Sequence, residues 1–365
     1  MQLKQITQFI ESIAPLAFQE SYDNAGLIIG RPEDEISGIL ITLDITEEIL
    51  DEAISKKLNL IVAHHPIIFN GIKKLNGKTY IERCVIKAIK KDIAIYAAHT
   101  NLDSVFGGVN SIICEKLDIR DCRILAPAAD FLKKLVTFVP VADAEKVRKA
   151  IFEAGTGHIG NYDSCSFNLN GTGSFRGNDL TNPYVGEKNQ LHLEEETRIE
   201  TIFPKYIQSK VIQALLNAHP YEEVAYDIYP LDNEYSQAGI GMIGELSEPT
   251  DELEFLRKLK EVFNCSVVKH TALLGKSISR VAVCGGSGST YLNQAKAQKA
   301  DIFISADFKY HQFFDAEQQL IIADIGHYES EQFTKEVFYE LLTKKFPKFA
   351  VHLSEISTNP VSYLI

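Results

Sequence analysis

The sequence predicts an α/β protein in which one two-part domain is built from both chain ends and a ferredoxin-like α+β module is inserted between the halves. Short apolar runs alternate with amphipathic helices over residues 1–117 and again after residue 252, a pattern typical of parallel βαβ units. In the middle the order changes to β-α-β-β-α-β, which is the order of a ferredoxin-like module. A chain of 365 residues is also too long for one ordinary core.

Two changes in pattern set the predicted boundaries. The alternation of strands and helices stops near residues 127–133, and the turn-rich segment Pro230–Asn233 closes the module. We therefore assign residues 1–130 to the first half of the α/β domain, 131–233 to the module and 234–365 to the second half.

The first half begins with a helix that Pro15 ends, and Thr46 followed by two glutamates predicts the start of a second helix. The predicted elements are helix Leu3–Ile13, strand Leu27–Gly30, strand Ile39–Leu43, a helix from Thr46 to about Lys57, strand Leu58–Ala63, helix Thr79–Lys91, strand Ile93–Ala98 and a helix from Gly107 to Leu117.

The other two parts follow the same reasoning from apolar periodicity. In the module we predict strand Leu135–Val139, helix Asp143–Ala154, a strand around Ser164–Leu169, strand Thr197–Phe203, helix Tyr206–Ala218 and strand Val224–Tyr229. In the last part we predict helix Glu252–Phe263, strand Val281–Cys284, helix Tyr291–Lys299, strands Ile302–Ser305 and Leu320–Asp324, helix Glu329–Lys345 and strand Phe349–His352.

The composition is that of an ordinary globular protein, with 45% hydrophobic and 24% charged residues. A formal net charge of -12 argues against a general nucleic-acid or anionic-membrane surface. The six cysteines are scattered singly, which favours reduced thiols and the cytoplasm. We find no signal peptide and no apolar stretch long enough to span a bilayer.

Three predicted strands are followed by residues of the types that bind metals in proteins. They are His64 and His65 after the first strand, His99 and Asp103 after the second, and His327 and Glu331 after the third. Adjacent strand residues point to opposite faces, so Pro66 must end the ladder before both neighbouring rings can turn into one crevice. Open α/β sheets place their ligands at such strand ends.

The ligand count favours two metal ions. Any single histidine at a strand end is more often a capping or core residue, but three ends of one domain all carry one. The five candidates are His64, His65, Asp103, His327 and Glu331. Five ligands close two coordination spheres only if carboxylates bridge, as in two-metal hydrolytic sites. Imidazole and carboxylate without thiolate suit Zn, Fe or Mn.

Three other motifs have two interpretations each. Gly285–Ser289 could hold a phosphate on its backbone amides or form a tight strand-to-helix turn. Asp307, Lys309 and His311 could orient a metal ligand, contact substrate or be solvated residues at a helix start. The cluster His219–Glu223 lies in the module, and we interpret it as structural or interfacial.

The chain resembles the family called GTP cyclohydrolase 1 type 2 homolog, or NGG-interacting-factor-three-like. The motifs that carry the resemblance are Tyr22–Leu27, Leu43–Thr46, His64–Pro66, His99–Asp103, Ala306–His311 and Gly326–Glu331. The module, with Gly155–Asn161, Asn182, Pro183 and His219–Glu223, resembles the PII/CutA-like insert of the longer bacterial members. Two positions depart from the pattern: Tyr22 replaces a frequent Trp, and Ala306 replaces a frequent Gly.

The resemblance implies a dinuclear site on the same five candidate ligands and a toroidal homohexamer whose metal sites face an internal cavity. The function this favours is metal-dependent hydrolysis of a nucleotide or another small phosphorylated or cyclic-amidine molecule. Glu331 or Asp103 would bridge the metals, His99 or His311 could move protons, and Asp307 could orient a ligand. The alternative is a non-catalytic metal-binding ring or adaptor whose module senses a ligand or recruits a partner. A nucleic-acid-handling ring is disfavoured by the charge.

Overall fold

The computed structural model describes residues 1–364, which divide into two compact units. One unit combines Met1–Ala126 with the chain from Ala238 onward, and the other is Pro127–Gln237. The chain is a mixed α/β protein, as the sequence predicts.

The first part of the chain alternates strands and helices. Its elements are α1 (Leu3–Ile13), β1 (Gly26–Ile29), β2 (Ile39–Thr42), α2 (Glu47–Ser55), β3 (Leu60–Ala63), α3 (Tyr80–Lys90), β4 (Ala94–Ala97), α4 (Thr100–Asp103), α5 (Val109–Lys116) and β5 (Ile119–Ala128). Thr46 caps α2, because its hydroxyl accepts the backbone N–H of Ile49 at 3.3 Å, and this confirms the predicted start of that helix.

The middle unit has two helices and one sheet. Its elements are β6 (Leu132–Pro140), α6 (Ala144–Glu153), β7 (Phe167–Phe175), β8 (His192–Pro204), α7 (Gln208–Ala218) and β9 (Tyr226–Leu231). The strand order is β7-β8-β6-β9, and every pairing is antiparallel. Apolar side chains of α6 and α7, such as Val147 and Leu215, are buried against Leu135 and Ile199 of the sheet.

The last part of the chain returns to alternating strands and helices. Its elements are β10 (Tyr235–Thr250), α8 (Glu252–Val262), β11 (Lys269–His270), β12 (Ile278–Val283), α9 (Leu292–Ala297), β13 (Ile302–Ser305), β14 (Ile321–Asp324), α10 (His327–Glu331), α11 (Thr334–Lys345) and β15 (Val351–Leu353).

Two sheets form the larger unit. The first has the order β1-β4-β3-β2-β15, with parallel pairing from β4 to β15 and β1 antiparallel at the edge. The second has the order β11-β14-β13-β12-β10-β5, with β12, β13 and β14 parallel. The chain end therefore joins the sheet that the chain start begins, because β15 pairs with β2.

The buried strands alternate between two cores, which is why their sequences are apolar at every position. Ile39 and Ile41 of β2 pack in one core, whereas Leu40 between them packs in another with α2 and α3. The first of these cores also contains Val281 and Ile302 of the second sheet, so it joins the two sheets. Burial on both faces is typical of parallel sheets.

Several predicted bounds are wrong because pairing partners, and not local propensity, set them. Strands β5 and β10, which are neighbours in the second sheet, are absent from the predicted elements. Strand β7 runs through the glycine- and asparagine-rich residues 170–174, since it pairs along its whole length with β8. Strand β8 accordingly begins five residues before the predicted Thr197.

The predicted helix Glu329–Lys345 is two helices, α10 and α11. Tertiary contacts hold the break between them: the Gln332 side chain donates to the carbonyl of Phe263 at 2.8 Å, and the Phe333 ring packs on the Phe263 ring at 5.7 Å. His327 and Glu331 therefore stand at the two ends of one short helix.

Each of the six cysteines is a free thiol. Across residues 1–364, every helix is too short or too polar to cross a bilayer.

We predict that Gly108 cannot be replaced without loss of stability. It precedes α5, and a Cβ there would lie 1.9 Å from the carbonyl oxygen of Leu102, which is backbone and cannot move aside. Gly108→Ala should lower the free energy of unfolding by about 1–3 kcal/mol. Gly71→Ala is the matched control, because a Cβ at Gly71 meets nothing within 4 Å. Equal unfolding midpoints in urea for both variants would contradict this prediction.

Candidate metal centre

The histidines lie where strands of the larger unit end. The backbone N–H groups of His64 and His65 both donate to the carbonyl of Leu43, at 3.2 and 3.0 Å, so the chain leaves the regular ladder directly after β3. His99 follows β4 and precedes α4, and His327 begins α10 after Gly326. This departure from the ladder lets neighbouring rings enter one crevice.

His64 is fully buried and presents an unprotonated nitrogen to the crevice. Its Nδ1 lies 2.9 Å from the carbonyl oxygen of Ala98, and because a carbonyl only accepts, Nδ1 carries the ring proton. Burial lowers the pKa of His64, so the ring is neutral. Its Nε2 has no hydrogen-bond partner and lies 3.7 Å from one oxygen each of Asp103 and Glu331.

His65 is held between two carboxylates. Its Nδ1 lies 2.7 Å from Asp44 Oδ1, and its Nε2 lies 3.0 Å from Glu331 Oε2. Burial lowers its pKa, but the hydrogen bonds to Asp44 and Glu331 outweigh burial and raise the pKa to about 10. Without a metal, His65 is therefore an imidazolium.

His327 has the same kind of environment. Its Nδ1 lies 2.6 Å from Asp307 Oδ2 and its Nε2 lies 3.2 Å from Glu331 Oε2. Against the effect of burial, these two contacts raise its pKa to about 11. The Nε2 atoms of His327 and His65 are only 3.4 Å apart, so two protonated rings meet beside one carboxylate oxygen.

The pKa values of the two buried carboxylates, Glu331 and Asp103, shift in opposite directions. Burial would raise the pKa of Glu331, but the protonated rings of His327 and His65 beside its Oε2 hold the pKa well below its usual value. Burial and the charge of Glu331 raise the pKa of Asp103 well above its usual value. Asp103 Oδ1 is buried and has no hydrogen-bond partner.

The His99 ring lies next to the rings of His64 and His65. Its Nδ1 lies 2.8 Å from Asp23 Oδ1, and the Thr100 hydroxyl also donates to Asp23. Burial raises the pKa of Asp23, but the bonds from His99 and Thr100 outweigh it and lower the pKa to about 2. The His99 ring centroid lies 5.2 Å from that of His64 and 5.3 Å from that of His65.

The cluster could hold a metal ion. Two sets of three ligand atoms lie within 4.8 Å of one another, one from His64, His65 and His99 and one from His65, His327 and Glu331. Among the predicted ligands Asp103 is outside both sets, although it lies 3.7 Å from His64 Nε2. Unprotonated imidazole nitrogen and carboxylate oxygen are ligands that Zn, Fe and Mn accept.

The other two predicted site residues differ in position. Asp307 bonds Nδ1 of His327 and so orients a candidate ligand. His311 is exposed on the 3-10 helix Tyr310–Ala316, and its ring contacts are Tyr310 and Phe314. No cluster contact of His311 is present within residues 1–364, so its proton-transfer role stays a prediction without a supporting contact.

Sequence reasoning missed the carboxylates that orient His65 and His99. Asp44 lies two residues after the end of strand β2, in the Leu43–Thr46 motif, and Asp23 lies in the Tyr22–Leu27 motif. Both motifs were recognised in the sequence, but the role of these two carboxylates was not. Thr358 was also missed: its hydroxyl donates to Asp44 Oδ2 at 2.6 Å. Nothing in the sequence pattern marks Thr358, because 314 residues separate it from Asp44.

The glycine-rich segment Gly285–Ser289 serves the cluster as a turn. The backbone N–H groups of Gly285, Gly286 and Gly288 donate to side chains of Asn110, Ser330 and Ser305, each at 2.9 Å, so they are not free for a phosphate. A Cβ at Gly286 would lie 2.2 Å from Glu331 Oε1, and Gly286 has φ +63°. The glycine thus leaves the room that the Glu331 carboxylate occupies.

Two cavities reach the cluster. One of about 310 Å³ is lined by His65, His327, Asp44, Asp307 and Lys269, among others. The other, of about 180 Å³, is lined by His99, Asp103, Glu331, His327 and Tyr22, among others. His327 lines both, so the cluster is reached from two cavities.

A family profile and a similar bacterial protein point to the same family. The profile of the family Duf34/NIF3 (NGG1p interacting factor 3) matches residues 1–360. The "GTP cyclohydrolase 1 type 2 homolog" of Bacillus subtilis (strain 168) is 40% identical, over 99% of this chain and 98% of that protein.

Two solved structures are similar to this chain over its whole length. The crystal structure of a Bacillus cereus protein related to NIF3 is 41% identical, with TM-score 0.84, over 100% of this chain and 99% of that chain. The Staphylococcus aureus protein SA1388 is 28% identical, with TM-score 0.79, over the same shares of the two chains.

Metal binding should release protons. The raised pKa values leave His65 and His327 protonated at neutral pH, and each must lose its Nε2 proton to bind a metal. We expect Zn²⁺ to displace at least two protons per chain, so its affinity should rise steeply between about pH 6 and pH 8. Calorimetry in two buffers of different ionisation enthalpy measures this release.

Asp44→Asn is the matched control. It removes one contact that raises the pKa of His65, so fewer protons should be released at neutral pH. A release of zero protons by the unaltered protein, with affinity independent of pH, would contradict the assignment of imidazolium to His65 and His327.

Proposed function

Because the chain belongs to the Duf34/NIF3 family, we propose that it is a dinuclear metal protein that hydrolyses a small substrate. The observation that carries this proposal is the environment of His64 Nε2. This unprotonated nitrogen is buried without a partner and faces Asp103 Oδ1, which is also unpartnered, and Glu331 Oε1. Three electron-rich atoms facing one another are stabilised by a cation.

The two oxygens of Glu331 support two metal ions rather than one. Oε1 faces His64, whereas Oε2 faces His65 and His327. A bridging Glu331 would share its carboxylate between a site with His65 and His327 and a site with His64 and Asp103. His64 and His65 would then bind different ions, which resolves the problem that adjacent residues point to opposite faces.

The chain's own residues supply orientation and proton transfer. When bound, divalent ions lower the pKa of water and stabilise developing negative charge. Asp44, Asp307 and the carbonyl of Ala98 fix the rings of His65, His327 and His64 through Nδ1, so each Nε2 faces the crevice. His99, fixed by Asp23 and lining the smaller cavity, is placed to accept a proton.

The cavities offer few cationic side chains to a negatively charged substrate. Within the described chain, Lys269 is the one cationic side chain besides histidine that lines either cavity, and its Nζ already pairs with Asp324 at 2.6 Å. A triphosphate recognised by side chains usually meets several cations. We therefore propose a nucleotide bound mainly by the metals, or a smaller phosphorylated molecule. The Bacillus subtilis relative carries the name GTP cyclohydrolase 1 type 2 homolog, and that name refers to that relative and not to this chain.

Other proposals continue the expectations from the sequence and from its family resemblance. We propose a homohexameric ring with the metal sites facing its cavity, a cytoplasmic location, and a ferredoxin-like, PII/CutA-like character for the module at residues 131–233. The observed strand order β7-β8-β6-β9 with two helices supports the ferredoxin-like part.

Glu331 should be required for both metal ions. We expect about two metal equivalents per chain in the unaltered protein by elemental analysis after dialysis against Zn²⁺, Fe²⁺ or Mn²⁺. Glu331→Gln keeps the side-chain shape but removes the shared charge, so it should lose both ions. Glu336→Gln is the matched control, because Glu336 lies on α11 and is 41% exposed on the surface. Full occupancy in a folded Glu331→Gln protein would remove Glu331 from the site.

Turnover should follow the metal. The protein loaded with its native metal should hydrolyse at least one member of a panel of nucleotides, phosphoesters and cyclic amidines, and Glu331→Gln should lower that rate at least about 100-fold. His99→Gln should lower the rate by about 10²–10⁴-fold with both metals retained, as expected for a proton-transfer group. A silent panel with both metals bound would instead favour the non-catalytic metal-binding ring or adaptor.

A further inference from the structure

The middle unit contains a cavity of about 280 Å³ of its own. Three aromatic side chains line it: Phe175 from β7, Tyr184 from the loop between β7 and β8, and Tyr221 from the loop between α7 and β9. This volume is near the lower end of small-molecule sites in proteins. Nothing in the metal centre uses these residues.

The Tyr221 ring lies between the other two rings and contacts both. The Tyr221 centroid lies 5.9 Å from that of Phe175, with planes inclined by 60°, and 6.2 Å from that of Tyr184, with planes inclined by 54°. All three side chains also line the cavity, so each ring presents part of its surface to a molecule there.

Hydrogen bonds hold the central ring in place. The Tyr221 hydroxyl donates to Glu196 Oε1 at 2.9 Å, and the Tyr221 backbone N–H donates to His219 Nδ1 at 3.1 Å. His219 Nε2 donates to the carbonyl of Phe138 at 2.9 Å, so the histidine is neutral. Burial lowers the pKa of His219, which agrees with that state. The predicted structural role of the His219–Glu223 cluster thus extends to supporting this wall.

The charge of the lining is negative. Glu196, Glu222 and Glu223 line the cavity against one guanidinium, Arg176, which gives a formal net charge of -2. Such a surface attracts cations, and the faces of aromatic rings attract cations whose charge is spread over alkyl groups. A bare metal ion would gain little from Phe175, because a phenyl ring offers no ligand atom.

We propose that this cavity binds a small organic cation through an alkylated ammonium group lying against Phe175, Tyr184 and Tyr221. Glu196, which lines the cavity and accepts from the Tyr221 hydroxyl, compensates the charge. The site is separate from the metal centre in its residues and its chemistry, and the proposal does not rest on the proposed hydrolysis.

The probes are choline, tetramethylammonium and the uncharged isostere of choline, 3,3-dimethyl-1-butanol. Calorimetry on the full-length protein should detect binding of both cations, whereas the isostere should bind at least about tenfold more weakly. Equal affinity for choline and its isostere would show that charge is not recognised and overturn the proposal. So would the absence of binding by both cations at about 10 mM.

Phe175→Leu tests the aromatic wall and has a close match elsewhere on the same strand. It should weaken choline binding by about 5- to 30-fold, the loss expected for one ring facing a cation. Phe167→Leu makes the same substitution on β7 at a residue that is 68% exposed and outside the cavity, and it should leave binding unchanged. Circular dichroism and thermal unfolding of both variants separate loss of the site from loss of the fold.

Glu196→Gln and an anionic probe test the charge. Glu196→Gln should weaken choline binding while retaining the hydrogen bond from Tyr221. Adenosine monophosphate should not bind in this cavity. If it binds, and Phe175→Leu together with Arg176→Ala abolishes that binding, the cavity is an anion site stacked on aromatic rings and the proposal is wrong.

Discussion

The candidate metal centre depends on the contacts between the buried carboxylate of Glu331 and the histidines around it. Its side chain is 3% exposed, and a carboxylate so buried is stable only when cations or strong donors surround it. Without a metal, the protonated rings of His65 and His327 serve as those cations, and they meet with their Nε2 atoms 3.4 Å apart. Divalent metal would replace two crowded protons. The cluster would therefore exchange a protonated state for a metal-bound state of similar charge balance.

A second layer of groups fixes the rings around Glu331. Asp44, Asp307 and Asp23 each accept from the Nδ1 of one histidine, and a carbonyl accepts from His64. These contacts leave every Nε2 directed into the crevice, which is how proteins orient imidazole ligands before metal arrives. The contact from Thr358 to Asp44 brings the last part of the chain into this layer. Gly286 contributes by having no side chain, since Glu331 occupies that space.

The two compact units carry sites of contrasting chemistry. The larger unit offers imidazole nitrogens and carboxylates without thiolate, whereas the middle unit offers aromatic faces and carboxylates around a preorganised tyrosine. Carboxylates appear in both, which is consistent with the net charge of -12. In one site the carboxylates lie against histidine rings that can lose a proton to metal, and in the other Glu196 accepts from the Tyr221 hydroxyl beside aromatic ring faces. This difference sets the ligand class proposed for each.

The α/β class, the buried strands and the histidine-bearing strand ends were predictable from sequence because apolar periodicity and strand-end residues are local properties. The same reasoning gathered His64, His65, Asp103, His327 and Glu331 as one group. It failed for β5, β10 and most of β7, since pairing with a distant partner overrides weak local propensity. The break before α11, the orienting carboxylates Asp44 and Asp23, and the contact from Thr358 also required the fold. They depend on distances between residues far apart in the chain, and only the packing of the two sheets sets those distances.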